Sequence, residues 1–232
     1  MGERQQRLDE PRCKLYSGGM KSPATPPTDC PLCPRLHAFR HDNRRKYPDW
    51  FNDPVPSFGP LTARLLIAGL APGLQGANRT GRPFTGDWAG DLLYATLLKH
   101  GLAKGVYEER PDDTLELVDC RIANSVRCVP PQNKPEPSEI KTCRQFLKSE
   151  LETLPNVKVI LALGKIAHDS VCDTLGAKKT LHPFKHGVAY EKIGKFTLIS
   201  SYHCSRYNTN TGVLTTKMFE DVVAKAKKLA GF

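Results

Sequence analysis

Four cysteines are spaced for metal chemistry. Cys30 and Cys33 form the run CPLC, in which two intervening residues let both sulfurs face one centre, and Cys128 and Cys143 come far later, separated by fourteen residues. Four thiolates suit zinc and an iron–sulfur cluster equally, so spacing leaves the metal open, and four unrelated thiols are the alternative. Cys120 and Cys172 fall in apolar patterns expected in the core, Cys13 lies in a polar N-terminal stretch, and Cys204 lies in a late polar loop. A metal held by the four would staple the N-terminal segment to the middle of the chain. A second set of chemically capable side chains sits in or beside Gly- and Asn-rich loops: the Asp87 carboxylate, the Asn124 amide, the His203 imidazole and the Phe84 ring.

These loops need a scaffold. The run "ARLLIAGL" reads as a strand ending in the loop "APGLQGANRTGRPFTGD", and "WAGDLLYATLLKHGL" follows with helical spacing and Gly101 as its stop. A second strand around "LVDCRIANSV" leads into the turn-rich "CVPPQNKPEP", after which Ser138 and an acidic first turn open a helix through "EIKTCRQFLKSELETL". "VKVILALG" is a continuous apolar run of the kind a buried parallel strand requires, with "KIAHDSVCDTL" as its helix. "VAYEKIGKFTLISSYH" predicts one or two further strands, and "TTKMFEDVVAKAKKLAG" an amphipathic C-terminal helix. The alternation predicts a single-domain α/β three-layer sandwich, with a largely parallel central sheet and helices on both faces. In such sheets sites form where strands end, so "APGLQGANRTGRPFTGD", "NSVRCVPPQNKPEP" and "HCSRYNTNTG" should converge on one cleft.

Size and charge narrow the classes. The 232 residues are enough for one sizeable core, and residues 1–28, which mix charges with Gly18, Gly19, Pro23, Pro26 and Pro27, predict a flexible segment ahead of a domain spanning 29–232. Thirty-four Lys and Arg against 24 Asp and Glu give a formal charge of +10, which favours a polyanionic partner such as nucleic acid. No apolar run approaches the roughly 20 residues of a membrane span, and no secretion leader is evident. An intracellular, cytoplasmic and nucleoid-associated protein is expected, with monomer as the default.

The loops "GLAPGLQGANRTGRPFTGD", "RIANSVRCVPPQNKPEP" and "YHCSRYNTNTGVLT" together resemble the motifs of the uracil-DNA glycosylase superfamily, and "ANRTGRPFTGD" is similar to its type-5 branch. The resemblance runs from Cys30 onward and implies repair of DNA containing uracil or other deaminated bases. It also implies a 4Fe-4S cluster on Cys30, Cys33, Cys128 and Cys143, with zinc as the chemical rival. One departure is Cys204, where the family usually has proline, which puts the rigidity of that loop in doubt.

Each residue then has an expected task. A base taken out of the stack must rest on an apolar surface and have its edge read. Phe84 is the surface and Asn124 the reader, while Gly69, Ala71, Pro72 and Gly73 allow close backbone approach. His203 would stabilise the departing base anion. The first loop carries Leu70, Ala71 and Pro72 where related branches place a polar residue, so Asp87 is the nearest group for water or the sugar cation, with a helix cap as its competing role. That apolar loop also predicts a broader base range that includes hypoxanthine. Arg79, Arg82, Ser205, Arg206 and Tyr207 are the expected DNA contacts, with Lys134 and Lys217 beside them. Two rival readings are a metal-stapled DNA-binding module without catalysis and a type-4-like enzyme restricted to uracil. Charge runs such as "HDNRRK" read as solvated faces.

Overall fold

The computed structural model describes residues 21–232. Cys13 and most of the segment expected to be flexible lie outside the described residues. Residues 21–27 are coil, with Pro23 buried and the Ala24 N–H donating to Ser149 Oγ at 2.7 Å.

Five strands form the central sheet: β1 (Leu65–Gly69), β4 (Cys120–Asn124), β5 (Val159–Leu163), β6 (Ala189–Ile193) and β7 (Phe196–Ser201). Their order is β4-β1-β5-β7-β6, parallel throughout except for β6, which pairs antiparallel with β7 through a tight hairpin with Gly194 at φ +59. The short strands β2 (Ala103–Lys104) and β3 (Glu116–Leu117) make a separate antiparallel pair.

Alternation along each strand sends side chains to two cores. Leu65, Ile67, Leu161 and Ile199 pack with α3 (Trp88–Lys99) and α7 (Thr216–Ala230), which supply Leu93 and Tyr94, and Phe219 and Val223. Leu66, Ala68, Ile160 and Leu198 pack with α4 (Pro137–Thr153) and α5 (Lys165–Thr174), through Leu147, Leu151, Ala167 and Val171. The expected three-layer α/β sandwich is therefore present. In α7 the buried Phe219, Val222, Val223, Ala226 and Ala230 recur at helical spacing, and Gly231 ends the helix at φ +84.

Some elements differ from the sequence reading. The α4 helix begins at Pro137 rather than Ser138, because Glu136 caps it and forms a reciprocal capping box with Glu139. The run "HDNRRK" belongs to α1 (Pro34–Lys46), where Arg40 and Asn43 are buried beside Leu36; it is not simply a solvated face. The first and last polar loops contain the short helices α2 (Ala77–Thr80) and α6 (Arg206–Asn210).

Candidate active site

A cavity of about 400 Å³ opens at the carboxyl ends of β1, β4 and β7. The parallel register places Gly69 beside Asn124, so the loops leaving both strands start at the same level. Ala71, Pro72, Gly73, Phe84, Asp87, Asn124, His203, Ser205 and Arg206 all line this space, so nine of the expected residues are brought together.

Phe84 is buried and holds φ +53, a left-handed conformation costly for an aromatic residue. The carbonyl of Phe84 lies so close to Gly90 that a Cβ there would stand 1.9 Å from it, so α3 and the loop are in direct contact. Asn124 closes β4 with its side chain buried, and its Oδ1 has no hydrogen-bond partner among the described residues. A buried acceptor left unmade costs about 1–3 kcal/mol, which a ligand N–H would recover. Gly69 does not line the cavity. It sits behind the wall, where a Cβ would stand 2.3 Å from Asn124 Oδ1 and 2.9 Å from the Phe84 ring.

His203 follows β7, with its ring centroid 6.1 Å from that of Phe84. Burial lowers its pKa below the ordinary 6.5, so the imidazole is neutral at pH 7 and can still donate one N–H. The His203 carbonyl accepts from Asn208 Nδ2 at 2.8 Å, which anchors the loop to α6. Cys204, where a proline was expected, is fully buried in the core that contains Phe84 and Leu214, so packing restrains the backbone at this point.

Asp87 is the N-cap of α3, with Oδ1 accepting from Gly90 N–H at 3.2 Å. Its second oxygen faces the first loop, since a Cβ at Gly76 would stand 2.3 Å and one at Gly73 3.1 Å from Oδ2. Burial pushes its pKa up, opposed by the backbone N–H groups of Gly90 and Ala89. One oxygen thus caps the helix while the residue borders the cavity.

Arg82 does not belong to a phosphate-binding rim. Its side chain is buried, and both Nη atoms bind the two oxygens of Asp113 at 2.7 Å, beneath Phe58, Tyr94 and Tyr107. Arg79 is exposed and donates to the Gln75 carbonyl, and Tyr207 is exposed on α6; neither lines the cavity. Ser205 caps α6 by accepting from Asn208 N–H. Trp88 and Asn133 line the cavity without having been singled out from the sequence. Trp88 is half-exposed at the rim, its Nε1 donating to Thr209 Oγ1 at 2.9 Å and the Arg206 guanidinium 5.6 Å from its ring. Its place directly after the Asp87 cap was the available signal.

The family model for the Uracil DNA glycosylase superfamily matches residues 56–227. The chain belongs to this superfamily. Its relatives include the type-5 uracil-DNA glycosylase of Thermus thermophilus, 47% identical over 210 residues, covering 88% of this chain and 95% of the relative. The type-5 uracil-DNA glycosylase of Pyrobaculum aerophilum is 38% identical, covering 88% and 90%. A type-4 uracil-DNA glycosylase, that of Thermotoga maritima, is 31% identical, covering 85% and 88%. Within the uracil-DNA glycosylase superfamily the similarity is thus greater to these type-5 proteins than to the type-4 one.

The cysteine site of this superfamily member lies directly behind the first loop of the cavity. Cys30 precedes α1, Cys33 is its N-cap, Cys128 follows β4 and Cys143 stands in the second turn of α4. All four border one small enclosed space, and all four are free thiols. Burial, then Cys128, the Glu139 carboxylate and Cys30, push Cys33 up to about 11; burial pushes Cys143 up to about 12, with Cys128 and Cys33 adding to it. Thiols that raise one another in this way are the arrangement a cation relieves. Ala71 packs against this cluster and also lines the large cavity. No helix among the described residues is long and apolar enough to cross a membrane.

Proposed function

We propose that the chain is a monofunctional uracil-DNA glycosylase of the type-5 kind, which takes uracil out of the DNA stack and hydrolyses its N-glycosidic bond with water, leaving an abasic site. The observation that carries this reading is the unpartnered, buried Oδ1 of Asn124 in the same cavity as Phe84 and the neutral His203. Uracil presents an N–H beside a carbonyl oxygen. The Asn124 amide answers both, with Oδ1 accepting and Nδ2 donating, whereas cytosine presents an acceptor and an amine in the reverse order. The Phe84 ring supports the base and backbone at Ala71, Pro72 and Gly73 approaches its edge.

Bond cleavage leaves negative charge on the base and positive charge on the sugar. His203 donates an N–H to the base oxygen that gains charge, and being neutral it does so without a prior proton transfer. Asp87 positions the attacking water or stabilises the sugar cation. Arg79, Ser205, Arg206 and Tyr207 contact the DNA around the cavity. No lysine among the proposed residues would form a Schiff base, so strand cleavage is not expected.

Hypoxanthine presents the same N–H and carbonyl pair as uracil, and the cavity of about 400 Å³ supports acceptance of the larger ring. The substrate range therefore extends to deaminated purines. The four cysteines fit a 4Fe-4S cluster, the group the type-5 resemblance implies, and they fit zinc by donor type. When bound it would supply a cross-link between the N-terminal segment, the loop after β4 and α4.

Labelled duplexes holding one uracil or one hypoxanthine, incubated with the protein and then treated with alkali, test the reading. Alkali-dependent cleavage, lost in Asn124→Ala and His203→Ala, is expected. Binding without cleavage would leave a DNA-binding module, and cleavage at uracil alone would leave a type-4-like specificity. Iron and sulfide analysis decides between cluster and zinc.

A further inference from the structure

Two fully buried guanidinium groups border the four thiols. Arg40 of α1 donates from Nη1 to Cys128 Sγ at 3.0 Å and from Nη2 to the Cys30 carbonyl at 3.2 Å, and its Nε has no partner. Its nearest carboxylate, Asp29, is 3.9 Å away, 65% exposed, and already bound by Arg44 at 2.6 Å. Arg127 precedes Cys128; its backbone N–H donates to Cys143 Sγ at 3.3 Å, and its Nε is likewise buried without a partner. Glu150 binds Arg127 at 3.3 Å and the nearly buried Arg121 at 2.8 Å. The buried Glu139 is taken by Arg35.

An uncompensated buried cation is costly, so this arrangement calls for anions. With the Arg35–Glu139 pair neutral and set aside, three buried guanidiniums (Arg40, Arg121, Arg127) against the one remaining buried carboxylate, Glu150, leave two positive charges. Four thiolates around a dipositive centre, zinc or an oxidised 4Fe-4S core, carry two negative charges. The sums cancel, and only Arg40 among the three lacks a close carboxylate. We infer that Arg40 is the counter-charge of the four-cysteine metal centre, retaining the metal through its hydrogen bond to Cys128. Arg40 is a positioning residue with no contact to substrate. The inference rests on the cofactor reading above, but not on which metal is bound.

The test begins with metal, iron and sulfide analysis of the wild-type protein, then compares Arg40→Gln and Arg40→Lys. In the loaded proteins, metal release to a chelator should be about tenfold faster for Arg40→Gln than for wild type, and close to wild type for Arg40→Lys, which keeps the charge. In chelator-stripped proteins Arg40→Gln should melt no lower than wild type, because the wild-type Arg40 cation is then uncompensated. A residue that only packs would destabilise both forms alike. Release from Arg40→Gln at the wild-type rate, or equal destabilisation of loaded and stripped protein, overturns the inference. A wild-type protein that binds no metal overturns the cofactor reading itself, a result obtained before any variant is made.

Discussion

Gly69 and Asn124 are register partners across β1 and β4, and the absence of a side chain at Gly69 makes room for the Asn124 amide. The amide is therefore held in place by backbone packing rather than by a hydrogen bond to its Oδ1. In Gly69→Ala the new Cβ would meet both Asn124 Oδ1 and the Phe84 ring. The fold should lose about 1–3 kcal/mol. Single-turnover excision of uracil should fall about a hundredfold, because a displacement of about 1 Å is enough for that loss. Excision at the wild-type rate would show that Asn124 does not depend on this support.

Asp87 has two oxygens with different neighbours, so substitutions can separate them. Serine is as good an N-cap as aspartate but brings no carboxylate to the cavity. Asp87→Ser should unfold near the wild-type temperature and excise uracil about 10- to 100-fold more slowly, whereas Asp87→Ala should lose about 1 kcal/mol of stability as well. A Ser variant as active as wild type would leave Asp87 with a capping role alone.

Arg82 and Arg206 are predicted to fail in opposite ways. Burial pushes the Asp113 carboxyl up, but the Arg82 guanidinium together with the backbone N–H groups of Glu108 and Leu115 outweighs it and brings the pKa down to about 2. Arg82→Met should cost about 3–5 kcal/mol because it strands a buried carboxylate. Arg206→Ala should leave the melting temperature unchanged and lower DNA affinity, reducing the salt dependence of binding by about one ion. Binding titrations at several salt concentrations, beside thermal melts, check both.

Burial holds His168, His186 and His203 below the ordinary pKa of 6.5. Above that value neither folded nor unfolded chain carries the proton. Below it the unfolded chain takes up protons that the folded chain refuses, so stability is lost as pH falls from 6.5 toward the lowered folded values. His168 is the most enclosed: its Nε2 donates to the His182 carbonyl at 2.8 Å, and its Nδ1 accepts from Ser200 Oγ at 2.7 Å. The urea midpoint should drop between about pH 6.5 and 5, with a shallower slope in His168→Gln. A flat midpoint over that range would refute the assignment.

The sheet and its large helices were legible because their residues announce themselves locally: "VKVILALG" is apolar throughout, and α7 repeats its apolar face every three or four residues. The convergence of three loops was legible for the same reason, since parallel strands put their ends on one edge. Arg82 was misread because its partner Asp113 lies 31 residues away and nothing local marks the pair. Helix α1 was missed because its inward positions hold Arg40 and Asn43 beside Leu36, a face that hydrophobic periodicity does not detect. Trp88 reads as the start of an apolar helix, although its ring stays at the rim against Arg206 and Thr209.

Ala71 packs against the cluster that holds Cys128 and Cys143 and also borders the large cavity, so one small residue links the two sites. Alkylation or oxidation of the thiols would displace residue 71 and spoil the fit of a base without touching Asn124 or His203. The health of the cysteine site would thus set the fraction of molecules competent to recognise a lesion, even though no thiol need ever meet the DNA.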